Sequence, residues 1–195
     1  MAYRRGFKTE ANGTALEVRA ELGLRALDPL DPFALARHLE IPIIDLSDFA
    51  RTSAGARYLL TVEPESFSAV TVFAGTKRTI VHNDGHNDGH NDGRISSNIT
   101  HEAAHGLLLH PPTPALDDRG CRLWDQDIED EAQFLAGALL VPEDAALAIA
   151  RDIAKGRSTV PEAAARFLVS PQMIQWRLNI TGAVNLHGLP PVASP

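Results

Sequence analysis

His101-Glu102-Ala103-Ala104-His105 decides how this sequence is read. In a helix four residues advance about 400°, so two histidines at this spacing project from one face and can share a metal ion. Glu102 follows His101 directly, close enough to act on a water beside that ion. Two imidazoles with an open solvent position describe a catalytic zinc site better than a closed structural one.

The flanks support a helix here. Ser96-Ser97-Asn98 offers N-cap residues and Pro111-Pro112 forbids continuation past His110. Between them Ile99, Ala103, Leu107 and Leu108 give an apolar stripe at helical spacing. His110 lies five residues beyond His105, about 140° round a continuing helix, and is expected to point elsewhere as an exposed residue at the helix C-terminus.

A zinc enzyme needs a third protein ligand. A further His six residues after the second would serve, but that position is Pro111. A carboxylate from a second helix is the other solution. Asp127 to Leu140 reads as that helix, with Ile128, Ala132, Leu135, Ala136 and Leu139 as its apolar stripe and Pro142 at its end. Glu129 and Glu131 are two apart, so both cannot face one metal. Glu129 borders the apolar stripe and aligns with Gln133, a candidate to hold a ligand by hydrogen bonding. Helical angle alone does not choose between the two.

These motifs resemble the ImmA/IrrE family of zinc metallopeptidases. The matching pieces are His101-Glu102-Ala103-Ala104-His105-Gly106-Leu107-Leu108-Leu109-His110, Glu129-Asp130-Glu131-Ala132-Gln133 and Leu139-Leu140-Val141-Pro142. The resemblance extends over roughly residues 1–182 but is much less specific outside these motifs. It implies His101, His105 and Glu129 as Zn²⁺ ligands, with Glu102 as the general base. Gln133 departs from the Asn common in the family. The resemblance further implies cleavage, inside the cell, of a specific partner protein, a helix-turn-helix transcriptional repressor. A regulatory module that binds such a partner, or DNA, without cutting is the alternative; an intact Glu102 favours the enzyme.

Composition sets the bounds. The 195 residues suffice for one domain with a small appendage. A net charge of −7 and a pI near 5.6 argue against a protein that coats nucleic acid. The single Cys121 excludes an internal disulfide framework and fits a reducing compartment. The basic N-terminus lacks a following apolar run, and no stretch has the length of a membrane span, so a cytoplasmic protein is expected.

Along the chain, Thr14 to Leu22 reads as helix. Asp31-Pro32 opens another, reaching about Leu39. Ile41 to Ile44 is a short extended piece, and Tyr58 to Glu63 fits helix or strand. Ser68 to Phe73 and Arg78 to His82 read as a hairpin turning at Gly75. The expected class is α+β, zincin-like, with a small antiparallel sheet ahead of the metal-binding helix. Residues 82–93 repeat His-Asn-Asp-Gly three times. Turn formers at that density oppose a helix, so a solvated loop is expected rather than a second metal site at His82, His86 and His90. Asp117 to Glu131 carries seven acidic residues, a solvated loop or a rim for a basic substrate segment.

After Pro142 the chain turns helical again. Thr159 to Leu178 has the cadence of a helix-turn-helix, with Ser170-Pro171 starting the second helix. Gln172, Gln175, Arg177 and Arg166 are a thin set for reading DNA, so partner docking or packing on the body is preferred for 159–178. The expected organisation is a peptidase domain over 1–142, a helical appendage over 143–182 and a disordered tail over 183–195. Tyr58, His82 and His110 are candidates for stabilising an oxyanion.

Overall fold

The computed structural model describes residues 3–75, 77–86, 92–111 and 125–188. Helix α1 (Phe7–Glu21) starts seven residues before the helix expected at Thr14, because left-handed Gly6 (φ 83°) turns the chain into it. Helix α2 (Pro32–His38) begins as its sequence dictates: the Asp31 carboxylate accepts from the Phe33 N–H at 2.8 Å and Pro32 occupies the first turn. Strand β1 (Ile43–Asp45) follows, and the ambiguous segment resolves as helix α3 (Ala54–Thr61).

Strands β2 (Ala69–Ala74) and β3 (Lys77–His82) form the expected hairpin, with Gly75 left-handed at φ 64°. The sheet itself is not purely antiparallel. Its order is β1-β3-β2, and β1 lies parallel to β3 with Ile43 opposite Ile80. The long connection carrying α3 and β2 returns the chain to β3 in the direction of β1, which no hairpin turn could do. Central Ile80 is fully buried with Ile99, Ala36 and Ile41, fixing the sheet to the helix behind it.

That helix is α4 (Asp92–Leu107). It begins five residues earlier than Ser96 would allow as a cap. Ser96 is instead a buried interior residue, and Ser97 donates back to the Gly93 carbonyl. The His-Asn-Asp-Gly repeat is correspondingly not a solvated loop throughout. In its first unit His82 ends β3 and bonds Asp45, buried Asn83 donates to the Pro64 and Phe67 carbonyls, and Asp84 accepts from the Ser47 N–H. At its last glycine, a Cβ on Gly93 would stand 2.6 Å from the Val169 carbonyl carbon and the Ser170 nitrogen. The intervening residues 87–91 lie outside the described residues, as do Cys121 and most of the acidic stretch before Asp125.

Helix α5 (Gln126–Leu140) is capped by Asp125, which accepts from the Asp127 and Ile128 N–H groups. It packs against α4 and α1, and nearly all of it from Phe134 onward is buried. Helix α6 (Glu143–Ala154) follows. A Thr159–Glu162 capping box then starts α7 (Val160–Phe167), and Ser170 caps α8 (Pro171–Ile180). Ala183–Leu186 forms a short helix, α9, with Ala183 and Val184 in the core, so the chain stays folded past the point where the tail was expected.

Two buried arginines hold the C-terminal end of α5, where backbone carbonyls lack helical partners. Arg19 of α1 donates to the Leu139 carbonyl at 2.7 Å and also to those of Arg25 and Asp28. Arg177 of α8 donates its Nε–H to the Val141 carbonyl at 2.8 Å. Leu139-Leu140-Val141-Pro142 is therefore a packed, doubly held helix end. Among the described residues no single helix is long and apolar enough to cross a membrane.

Candidate metal centre

Helix α4 supplies His101 and His105 from one face, and the first turn of α5 supplies Glu129. His101 Nε2 lies 3.1 Å from His105 Nε2 and 3.1 Å from Glu129 Oε2, and His105 Nε2 lies 3.7 Å from that oxygen. All three side chains are half-buried. Among the described residues this is the one group of three or more whose ligand atoms gather closely, all within 4.8 Å. Hydrogen bonding to His101 first, and then to His105, holds the Glu129 carboxyl well below the usual carboxylate range despite its burial. Two ring nitrogens and a carboxylate oxygen converging on one point suit a divalent cation better than each other.

Glu102 turns toward the sheet. Its Oε2 accepts a 2.6 Å hydrogen bond from Thr71 Oγ1 on β2, which leaves the second carboxylate oxygen free of that bond. The hairpin thus positions the one ionisable residue of the motif that lies outside the His101–His105–Glu129 cluster.

The family model of the IrrE N-terminal-like domain of M78 peptidases matches residues 78–179, just over half of the chain. The chain belongs to this peptidase family. No curated protein and no solved structure matches it. The matched segment of this M78 peptidase starts at Arg78, within β3, so it is narrower than the resemblance first read from the sequence. It holds both helices of the metal cluster but not Thr71.

His110 is where this peptidase departs most from its sequence reading. It is not an exposed residue pointing away: its side chain is 10% exposed and its Nδ1 lies 2.9 Å from His105 Nδ1. The extrapolated 140° fails because the helix has already ended. Leu109 is left-handed at φ 54°, the Leu109 N–H bonds the Gly106 carbonyl and the His110 N–H bonds the His105 carbonyl, the closure known as a Schellman motif. This folds His110 back over His105. Burial, then the neighbouring His105, lowers the His110 pKa below the usual imidazole range.

Other candidates sit elsewhere. Tyr58 is bonded to Glu63 beside its own helix, and His82 is buried against Asp45 and Phe33. Gln133 makes no hydrogen bond to Glu129 among the described residues, so the expected support for the ligand does not come from it. Glu131 stays out of the metal cluster, as the spacing required, but its Oε2 lies 3.6 Å from His110 Nε2. Arg177, counted among possible DNA-reading residues, is fully buried in the α5–α8 interface.

Proposed function

We propose that this M78 peptidase is a zinc-dependent endopeptidase acting inside the cell on one specific partner protein, a helix-turn-helix transcriptional repressor. The observation that carries the catalytic part is the convergence of His101, His105 and Glu129 beside a separately positioned Glu102. Two His and one carboxylate are the donor set of hydrolytic zinc sites, which keep their remaining position for water or substrate. When bound, zinc supplies a Lewis acid that makes water a nucleophile at neutral pH and polarises a carbonyl.

The chain's own residues do the rest. Thr71 holds one oxygen of Glu102 and so orients the other. Glu102 takes the proton of the attacking water and delivers it to the leaving amine. That division of labour is what distinguishes a peptidase from a module that merely docks a repressor, which has no use for an oriented base at the metal. The repressor as substrate rests on the family resemblance of the two motifs. A docking role for 159–178 is favoured over DNA reading, because Arg177 is committed to the core and Arg166 is bonded to the Leu27 carbonyl.

The test is Glu102→Gln, assayed beside wild type on a candidate helix-turn-helix repressor that the wild-type protein cleaves. The variant is expected to retain about one zinc per chain by elemental analysis and to leave the repressor intact. A Glu102→Gln protein that cleaved at the wild-type rate would refute this mechanism.

A further inference from the structure

The two Nδ1 atoms of His105 and His110 face each other at 2.9 Å, so one carries a proton and the other accepts it. The second nitrogen of His110 decides which. Among the described residues His110 Nε2 is buried without a hydrogen bond, and the Glu131 carboxylate lies 3.6 Å away. A lone pair there would face a negative oxygen, whereas an N–H is attracted to it. The proton therefore sits on His110 Nε2, His110 Nδ1 is the acceptor, and His105 donates through its Nδ1–H. That tautomer leaves the lone pair of His105 on Nε2, the atom that meets His101 and Glu129.

Glu131 is itself held. Its Oε1 lies 3.2 Å from Arg4 Nε, and the same guanidinium makes two 2.7 Å hydrogen bonds to Glu10. Arg4 and Glu10 lie outside the matched peptidase segment.

Resting on the zinc reading above, we propose that His110 is a positioning residue for zinc: it fixes the tautomer and ring orientation of His105, and Glu131 fixes His110. Partners of this kind, bonded to the far nitrogen of a ligating histidine, commonly account for 10–100-fold in metal affinity.

The experiment is competition of the full-length protein for Zn²⁺ against a chromophoric chelator, with His110→Asn, His110→Phe, Glu131→Ala and His105→Ala beside wild type, and with melting of each metal-free protein as a folding control. An asparagine places an amide oxygen near the position of Nδ1, while phenylalanine fills the ring volume without an acceptor. We expect His110→Asn to stay within a few-fold of wild type and His110→Phe to bind about 10–100-fold more weakly. A role in packing alone gives the opposite order, because asparagine leaves a void that phenylalanine fills. The Co²⁺-loaded visible spectrum should be shared by wild type and His110→Asn and altered in His110→Phe. Should His110→Phe not fold, Glu131→Ala keeps the ring and is expected to weaken zinc about tenfold. Wild-type affinity in His110→Phe or, failing that, in Glu131→Ala, while His105→Ala loses zinc, would overturn this inference and leave the zinc reading standing. Wild type that takes up no zinc would overturn both.

Discussion

Gly93→Ala sets local propensity and tertiary packing against each other. Gly93 is the second residue of α4, and alanine is the better helix former by ~1 kcal/mol in a helix interior. Propensity therefore favours the substitution. Packing opposes it, because the new Cβ would stand 2.6 Å from two backbone atoms of Val169 and Ser170 and 3.1 Å from Val169 Cα. Carbon contacts are comfortable near ~3.5–4.0 Å, so about 1 Å of relief is required. No side chain can supply it: Val169 is buried and Ser170 caps α8. Overpacking of this kind costs about 1–3 kcal/mol, for a net loss of up to about 2 kcal/mol. Gly13 is the internal comparison. It lies within α1, and a Cβ there meets nothing within 4 Å, so Gly13→Ala should gain up to ~1 kcal/mol. In a chain of this size each kcal/mol moves Tm by about 2–4 °C, so metal-free melts should fall by up to about 8 °C for Gly93→Ala and rise for Gly13→Ala. A Gly93→Ala protein melting at or above wild type, with Gly13→Ala raised as expected, would refute the close approach of α4 to the α7–α8 turn.

Two further perturbations probe the site. Thr71→Val keeps the side-chain shape and removes the hydrogen bond to Glu102; charged-group bonds contribute about 1.5–3 kcal/mol, so turnover should drop by about tenfold or more while zinc stoichiometry holds. Equal turnover would show that Glu102 needs no orientation from β2. Leu109→Gly relieves a left-handed conformation at a side chain that is 82% exposed, so little burial is lost; denaturant titration should show a gain of up to about 1 kcal/mol, and any loss would count against the Schellman closure.

The convergence of His101, His105 and Glu129 was legible because its determinants are local. Two histidines on one turn of helix need only periodicity, and a glutamate in the first turn of a second apolar helix needs only that plus the family motif. The helix starts at Asp31 and Ser170 were legible for the same reason, since a cap and its target are three residues apart or fewer. What escaped depends on partners distant in sequence or on local conformations that the residue types conceal. Ser96 resembles a cap, but the chain before it is already helical, so its hydroxyl is buried inside α4. The parallel β1–β3 pairing is invisible to hairpin logic because the strands are joined through α3 and β2. The position of His110 turns on one left-handed leucine, a conformation that glycine would have advertised and leucine conceals. The support of Glu102 by Thr71 joins residues 31 apart and has no signature in either motif.

The repeat at 82–93 is fixed at both ends, by His82, Asn83 and Asp84 at its front and by Gly93 at its back. Tandem four-residue units are prone to change in copy number when DNA is replicated, through slippage in whole units. Because every copy spells the same residues, loss or gain of one unit leaves His-Asn-Asp following β3 and Asp-Gly heading α4, with both anchors chemically unchanged. Removing or adding one unit thus keeps both anchoring sequences and changes only the length of chain between them, in steps of four residues.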